Sequence, residues 1–202
     1  MINKAIINLA NERPIYHSEA DLQFALGYEI AKLYPKGKIR FEKPIDGQYI
    51  DITYSENNLS IIGLEIKYKT SKLDYTFCNE LFKLKEHAAI DLGRFDVISD
   101  ISRLESFVAK NNISKGYMLF ITNCSGYWTN EQYRGFQKAQ DFEFRLINNS
   151  TLSGKLNWQQ GAKETTYGKK RIDGISLRNF YTINWEDFSI VNTNKNNIFK
   201  YL

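Results

Sequence analysis

The sequence predicts an α/β protein with a mixed α+β sheet, ordered α-β-β-β-α-β over about residues 17–122, with a C-terminal addition over about 123–202. Apolar residues recur with helical spacing in two long segments and alternate with polar residues in the short segments between them. The chain has 202 residues, of which 43% are hydrophobic and 14% aromatic, so a single domain with a buried core is expected.

The first predicted helix begins at Ser18 and ends near Tyr34. Serine is a favoured N-cap residue because its side chain accepts a hydrogen bond from the first helical turn. Pro35 and Gly37 then stop the helix. The segment before it contains Pro14 and is predicted to be a loop. The apolar stripe of the helix consists of Leu22, Leu26, Ile30 and Leu33.

Three strands are predicted next, over 39–42, 48–54 and 59–69, with a polar turn at 55–58 between the last two. Successive side chains of a strand point to opposite faces of the sheet. In the second strand, the two faces are Tyr49, Asp51 and Thr53 on one side and Ile50, Ile52 and Tyr54 on the other.

The rest of the chain is predicted to contain a loop over 71–80, a long helical region over about 81–111 and a short central strand over 116–122. The C-terminal addition is predicted to contain a helix over 128–140, a loop within 148–174 and a strand over 178–185.

Composition and motifs exclude several classes of function. Two cysteines cannot form a structural zinc site alone, and two histidines exclude most His-rich metal sites. Neither a Gly-x-x-x-x-Gly-Lys-Ser/Thr loop nor a Gly-x-Gly-x-x-Gly pattern is present, so no nucleotide cofactor is expected. The net charge of +4 permits a polyanionic partner without requiring one. With no long apolar stretch and no signal-peptide pattern, we expect a cytoplasmic protein without a membrane partner.

The most informative pair is Glu65 and Lys67, which share one face of the third strand. If the preceding turn centres near Asn57, Asp51 lies across from residues 63–65, where cross-strand Cβ atoms are about 5 Å apart. Two carboxylates suit Mg²⁺ or Mn²⁺. A lysine beside them can orient or deprotonate water, or stabilise charge on a phosphate.

Glu19 is a further candidate because it lies on or beside the helix stripe that faces the core. A carboxylate there is unfavourable unless a metal, a lysine or a hydrogen-bond network satisfies it. Each candidate also has a purely structural interpretation. Glu65 and Lys67 can form a surface ion pair, Asp51 can end a turn or cap a neighbour, and the helix dipole favours Glu19 in a first turn.

In this order and spacing, Glu19 on the first helix, Asp51 in Tyr-Ile-Asp, and Glu65-Ile-Lys67 on the next strand resemble the PD-(D/E)XK nuclease superfamily. The resemblance covers about residues 17–122 and implies a restriction-endonuclease-like core. It implies that Asp51 and Glu65 bind Mg²⁺ or Mn²⁺, that Lys67 assists the attacking water, and that Glu19 supports or joins the metal site. Ile50 stands where the name-giving proline would be, a replacement that is frequent in the family.

The resemblance implies a metal-dependent endonuclease that hydrolyses DNA phosphodiester bonds, in restriction, defence or repair, and a homodimer would let two sites face two strands. The alternatives are a non-catalytic nucleic-acid-binding or interaction module and a nuclease for structured RNA. The candidate DNA contacts are Lys69, at the end of the third strand, and Lys169, Lys170 and Arg171 in a basic segment. For these residues a solvated surface position is the alternative.

Charged and polar residues also recur along the long helical region. The resemblance implies that one of them contacts a metal-bound water or the DNA backbone. Their helical spacing instead favours surface ion pairs along the helix. They are His87, Asp91, Arg94, Asp96, Asp100 and Arg103.

Overall fold

The computed structural model describes residues 2–57, 60–129, 140–159, 171, 173–191 and 197–202. Within them the chain is a mixed α+β protein with three α-helices. The helices are α1 (Ile2–Glu12), α2 (Glu19–Leu33) and α3 (Ile90–Ala109). The strands are β1 (Lys38–Ile45), β2 (Gln48–Asn57), β3 (Ser60–Lys69), β4 (Leu73–Phe77), β5 (Glu80–Leu84), β6 (Lys115–Thr122), β7 (Thr151–Leu156), β8 (Ile175–Thr182), β9 (Glu186–Val191) and β10 (Asn197–Tyr201).

The main sheet has six described strands in the order β1-β2-β3-β6-β10-β9. The β3–β6 pair is parallel and the other pairs are antiparallel, so the sheet is mixed, as the sequence predicts. The connection from β3 to β6 passes through the β4–β5 hairpin and α3. The β7–β8 hairpin forms a second two-stranded sheet.

The two faces of the main sheet are covered by different helices. On one face, α1 and α2 bury a core that includes Leu22 and Leu26 of α2 and Ile52, Leu64 and Ile66 of the sheet. On the other face, α3 packs over β3 and β6 and is itself covered by the β7–β8 hairpin. Because α3 has neighbours on both sides, its polar residues are drawn into contacts that an isolated surface helix would not make.

The predicted helix from Ser18 is confirmed. The side chain of Ser18 accepts a hydrogen bond from the backbone of Asp21 at 3.2 Å, which caps the first turn of α2. The backbone amide of Tyr34 closes the last turn through Ile30. The stripe residues Leu22, Leu26 and Ile30 have no exposed surface, so the apolar period of the sequence marks the core face correctly.

The prediction of a loop before Pro14 is wrong, because α1 occupies residues 2–12. Its buried residues repeat at helical spacing, and they are Ile2, Ala5, Ile6 and Leu9. This apolar stripe is short and precedes Pro14. The proline favours a loop, and in the sequence prediction that signal has more weight than the stripe. In the structure, α1 packs against α2, which follows it in the chain, and against β9, which comes from the distant C-terminal part.

The loop predicted over 71–80 and the start of the helix predicted at 81 are also wrong. The β4–β5 hairpin lies there, and α3 begins at Ile90. Phe77 pairs with Glu80 around a two-residue turn in which Cys78 and Asn79 both have positive φ. Positive φ at both central residues is typical of a type I′ turn, which usually carries Asn-Gly or Asp-Gly. Without a glycine, this turn has no strong sequence signal.

In the C-terminal part, β7 lies within the predicted loop 148–174 and β8 begins three residues before the predicted strand 178–185. The strands β9 and β10 extend the main sheet and were not predicted. Most of the helix predicted over 128–140 falls on residues 130–139, which lie outside the described residues. In the described part of the chain, no helix combines the length and the apolar character needed to cross a lipid bilayer.

The register between β2 and β3 agrees with the predicted turn near Asn57, since Ile52 pairs with Leu64 and Thr53 pairs with Gly63. The predicted face of Ile50 is wrong. It packs with Leu104, Phe107 and Ile113 beside α3, whereas Ile52 packs in the core beneath α2. The alternation breaks because β2 leaves its regular ladder between these two residues.

Candidate active site

The candidate site lies where β2 separates from β3. Ile52 and Leu64 are the last pair of the described ladder at this end. Beyond them, the amide of Ile66 donates to Asp51 Oδ2 at 2.7 Å and the amide of Tyr68 donates to Glu19 Oε2 at 2.8 Å. Alternate amides of a strand point to the same edge. Two side-chain carboxylates therefore replace the backbone acceptors that β2 no longer supplies.

Gln23 of α2 stabilises this separation. Its amide Nε2 donates to the carbonyl oxygen of Asp51 at 2.7 Å and to Glu42 Oε1 at 3.1 Å. Glu42 has a φ of +48°, and the β1–β2 register skips the Glu42–Asp51 position. The sequence interpretation missed Gln23. Its place next to the apolar Leu22 on a buried helix was the available signal, because a buried amide needs partners.

Glu65 and Lys67 both face α3, where two residues of the helix bind them. Arg103 binds Glu65 through Nη2–Oε2 at 2.7 Å and Nε–Oε1 at 3.2 Å. Lys67 Nζ lies 2.6 Å from Asp100 Oδ2. Arg103 Nη2 also lies 2.8 Å from Asp100 Oδ1, so the four side chains form one network. Glu65 is only 1% exposed, which rules out the interpretation of a solvated surface pair.

Burial and neighbouring charges shift the proton equilibria of these groups. Burial raises the pKa of Glu65 to about 8; the Arg103 guanidinium opposes the shift, while the carboxylates of Asp51 and Asp100 add to it. Burial also raises the pKa of Asp51, while the hydrogen bond from the Ile66 amide and the positive charge of Lys67 act to lower it. For Lys67, burial favours a lower pKa, but the carboxylates of Asp100, Glu19 and Asp51 outweigh it and raise the pKa. Lys67 is therefore a protonated cation at neutral pH.

The structure thus brings Asp51, Glu65, Lys67 and Glu19 into one neighbourhood and adds Asp100 and Arg103. If all four carboxylates are ionised, the two cations leave two negative charges unbalanced. Magnesium commonly binds to one or two carboxylates and completes its shell with water. The donor set is compatible with such an ion, held by Asp51 and Glu65.

Two features limit how a metal can bind here. In the described ranges, no group of three or more His, Cys, Asp or Glu side chains is arranged to hold a metal ion by itself. Arg103 also contacts both carboxylate oxygens of Glu65. A cation at Glu65 therefore has to take at least one oxygen from Arg103 and to rely on water for most of its ligands.

The predicted DNA contacts have separate outcomes. Lys69 lies two residues beyond Lys67 and lines a cavity of about 250 Å³ next to the start of α3. Arg171 makes two hydrogen bonds to Asp96, at 2.8 and 2.9 Å, so its guanidinium is already engaged. Lys169 and Lys170 lie outside the described residues.

The prediction of surface ion pairs along α3 is wrong for two residues. Arg94 is buried and pairs with the buried Asp141, and Asp100 is buried in the candidate site. Asp100 lies between Val97 and Leu104 on the buried stripe of α3. This is the same signal that pointed to Glu19, namely a carboxylate on a core-facing helical stripe.

No family model, no curated protein and no solved structure matches this chain.

Proposed function

We propose that this protein is a metal-dependent endonuclease of the PD-(D/E)XK type that hydrolyses DNA phosphodiester bonds. The observation that supports the proposal is the opening of β2 away from β3, which places Asp51 beside the Glu65–Lys67 face of β3. Two carboxylates and a lysine at the end of a ladder are the residue types that the superfamily requires. Their order along the chain, after Glu19 on a helix, also agrees with the restriction-endonuclease-like arrangement.

Each residue has a role in this proposal. Asp51 and Glu65 would hold Mg²⁺ or Mn²⁺, and the bound ion would supply polarisation of the scissile phosphate and a more acidic water. Lys67 positions that water or stabilises the charge that develops on the phosphate, since its raised pKa keeps it protonated. Glu19 holds the amide of Tyr68 and so fixes the strand next to Lys67. In-line attack by water expels the 3′ oxygen and leaves a 5′-phosphate.

A basic groove supports a polyanionic substrate. The groove has a volume of about 390 Å³ and is lined by Lys38, Arg40, Lys43, Thr53, Ser55 and Ile61, with no carboxylate among them. Thr53 pairs with Gly63 of β3, and by strand alternation Ile61 and Gly63 share the face of Glu65. The groove thus leads along the sheet toward the candidate site. Contacts from Lys and Arg to phosphates supply most of the sequence-independent affinity for DNA.

One observation favours a non-catalytic binding module as the second candidate. The pairs Arg103–Glu65 and Lys67–Asp100 balance several buried charges without any metal. A protein that keeps these pairs only for stability would bind DNA through the groove and leave it uncut. A titration with Mg²⁺ or Mn²⁺ separates the two, because only the nuclease needs the ion.

The proposed function is tested by incubating supercoiled plasmid, duplex oligonucleotides and structured RNA with the purified protein in Mg²⁺, Mn²⁺ or EDTA. We expect metal-dependent nicking of DNA that Glu65→Gln and Lys67→Met abolish. Matched controls are Asp46→Asn and Lys155→Met, which change an exposed acid in the β1–β2 turn and an exposed lysine of β7. Circular dichroism and thermal unfolding check the fold of every variant. Undiminished cleavage by both folded site variants would refute the proposal. Preferential cleavage of RNA would show that RNA, and not DNA, is the substrate.

A further inference from the structure

A second cavity adjoins the candidate site at the N-terminal end of α3. The helix runs over β3 in the opposite direction, because Arg103 lies at Glu65 and Asp100 lies at Lys67. The next position along the same face of β3 is Lys69, about 6.6 Å further along the strand. Lys69 lines the cavity together with the first residues of α3, and the volume is about 250 Å³.

The side chain of Tyr127 also lines this cavity, and its hydroxyl group lacks a hydrogen-bond partner in the part of the chain that the structure describes. Tyr127 is 1% exposed, and its hydroxyl has no hydrogen-bond partner among the described residues. The hydroxyl oxygen lies against Gly93 of α3, which also lines the cavity. A Cβ atom added to Gly93 would be 2.1 Å from this oxygen. A buried hydroxyl without a partner is unfavourable. It is therefore a donor placed where a ligand can accept its hydrogen bond.

His87 presents a second donor. The backbone amide of Thr70 donates to His87 Nδ1 at 3.0 Å. Since a backbone amide can only donate, Nδ1 is an acceptor and the ring proton lies on Nε2. This arrangement assigns the tautomer of the neutral ring and leaves the Nε2–H group to bind a ligand in the cavity that His87 lines.

The charge of the lining is positive. Lys69 forms no ion pair within the described part of the chain. The one carboxylate of the lining, Asp96, is balanced by two hydrogen bonds from Arg171. The first turn of the 20-residue helix α3 has no side-chain cap at Ala89, and within this turn the Asp91 carboxylate accepts a hydrogen bond from the amide of Leu92 at 2.8 Å. The unpaired Lys69 is therefore the cation of the lining that favours an oxyanion.

We propose that this cavity binds a phosphate group, namely the phosphate next to the scissile one on the bound strand. The choice of DNA as its source rests on the proposed function. Lys69, the Nε2–H group of His87 and the hydroxyl of Tyr127 supply three donors for the phosphate oxygens. The bound DNA strand then runs from the basic groove, across Glu65 and Lys67, to this phosphate site.

Inorganic phosphate is the first probe, titrated calorimetrically into the full chain in EDTA. We expect Tyr127→Phe and Lys69→Met each to weaken phosphate binding about tenfold or more, as for loss of one hydrogen bond to a charged group. Tyr127→Phe should also make the phosphate-free protein no less stable, because the removed hydroxyl has no partner there. Tyr49→Phe and Lys72→Met, both at exposed positions, are the matched controls. Unchanged phosphate affinity in both cavity variants, or a loss of stability in free Tyr127→Phe, would overturn the site.

The second probe is a duplex that carries a neutral methylphosphonate next to the cleavage position, with binding measured in EDTA. We expect the wild type to bind the methylphosphonate duplex more weakly than the unmodified duplex. For Tyr127→Phe, the difference in affinity between the two duplexes should be much smaller. Equal binding by the wild type would overturn the assignment to a DNA phosphate. Both binding measurements are made without metal, and the phosphate titration does not depend on cleavage, whereas the duplex probe uses a cleavage position mapped beforehand. A protein that binds phosphate here and cuts no DNA supports the site and refutes the nuclease, whereas cleavage without phosphate binding does the reverse.

Discussion

Lys67 Nζ lies 2.6 Å from Asp100 Oδ2, an ion pair that joins β3 to the middle of α3. The two side chains are only 17% and 7% exposed, so the pair is shielded from solvent. Arg103 extends the contact from Asp100 to Glu65. The helix therefore sets the charge state of both residues of the Glu-x-Lys motif, although it follows them by more than thirty residues.

The first prediction concerns Asp100→Asn, which keeps the shape of the side chain and removes its charge. Asp100 is the strongest of the charges that raise the pKa of Lys67. We expect a lower Lys67 pKa, a cleavage rate reduced about tenfold at neutral pH, and a loss of about 3 kcal/mol in unfolding free energy, because a buried pair is broken. Rate–pH profiles and urea unfolding measure these effects. Asp46→Asn is the control, and a profile identical to wild type would contradict the coupling.

The second prediction is a pH dependence of stability that originates in Glu65. Its pKa rises from about 4.5 in the unfolded chain to about 8 in the fold. The folded state thus keeps a proton that the unfolded state has lost. The stabilisation is complete below a pH of about 4.5 and declines as the pH rises through about 8, with a slope of at most about 1.4 kcal/mol per unit.

Glu65→Gln is neutral at every pH and should remove this decline. The measurement is the free energy of unfolding in urea, in metal-free buffer, at intervals between the two pKa values. We expect the wild type to lose stability over this range relative to the variant. Parallel curves for the two proteins would show that Glu65 does not titrate as described.

The third prediction is that Arg103 competes with a metal for Glu65. Arg103→Met leaves Glu65 and Asp100 without their guanidinium, so we expect a loss of about 3–5 kcal/mol in EDTA. Mg²⁺ should then raise the melting temperature of the variant more than that of the wild type, since the ion no longer has to displace an arginine. Arg178→Met, at an exposed position of β8, is the control. Equal shifts in variant and wild type would contradict a shared ligand.

The fourth prediction tests the basic groove by its salt dependence. The slope of log K against log salt concentration falls by about 0.9 for each phosphate contact that is lost. Replacement of Lys38, Arg40 and Lys43 by alanine should therefore reduce the slope by about two to three. The matched control replaces two lysines and one arginine at other exposed positions, namely Lys4, Lys155 and Arg178. Equal slopes for the two triple variants would show that DNA does not occupy the groove.

The parts of the fold that sequence reasoning predicted well depend on local signals. Ser18 and the stripe from Leu22 place α2, and the polar turn near Asn57 sets the register that brings Asp51 near Glu65. The hairpin β4–β5 was missed because Cys78 and Asn79 adopt positive φ without a glycine. Ile50 was assigned to the wrong face because strand alternation assumes a regular ladder, and β2 leaves its ladder at Asp51.

By itself, the sequence determined that Glu65 and Lys67 share a face and that Asp51 lies near them, because strand alternation and hairpin register are properties of neighbouring residues. Only the tertiary structure decided which groups meet these side chains. The packing of α3 over β3 brings Asp100 and Arg103 to the motif and removes water from Glu65. Burial and ion pairing depend on segments that are distant along the chain, so the charge states of Lys67 and Glu65 emerge only when those segments pack together.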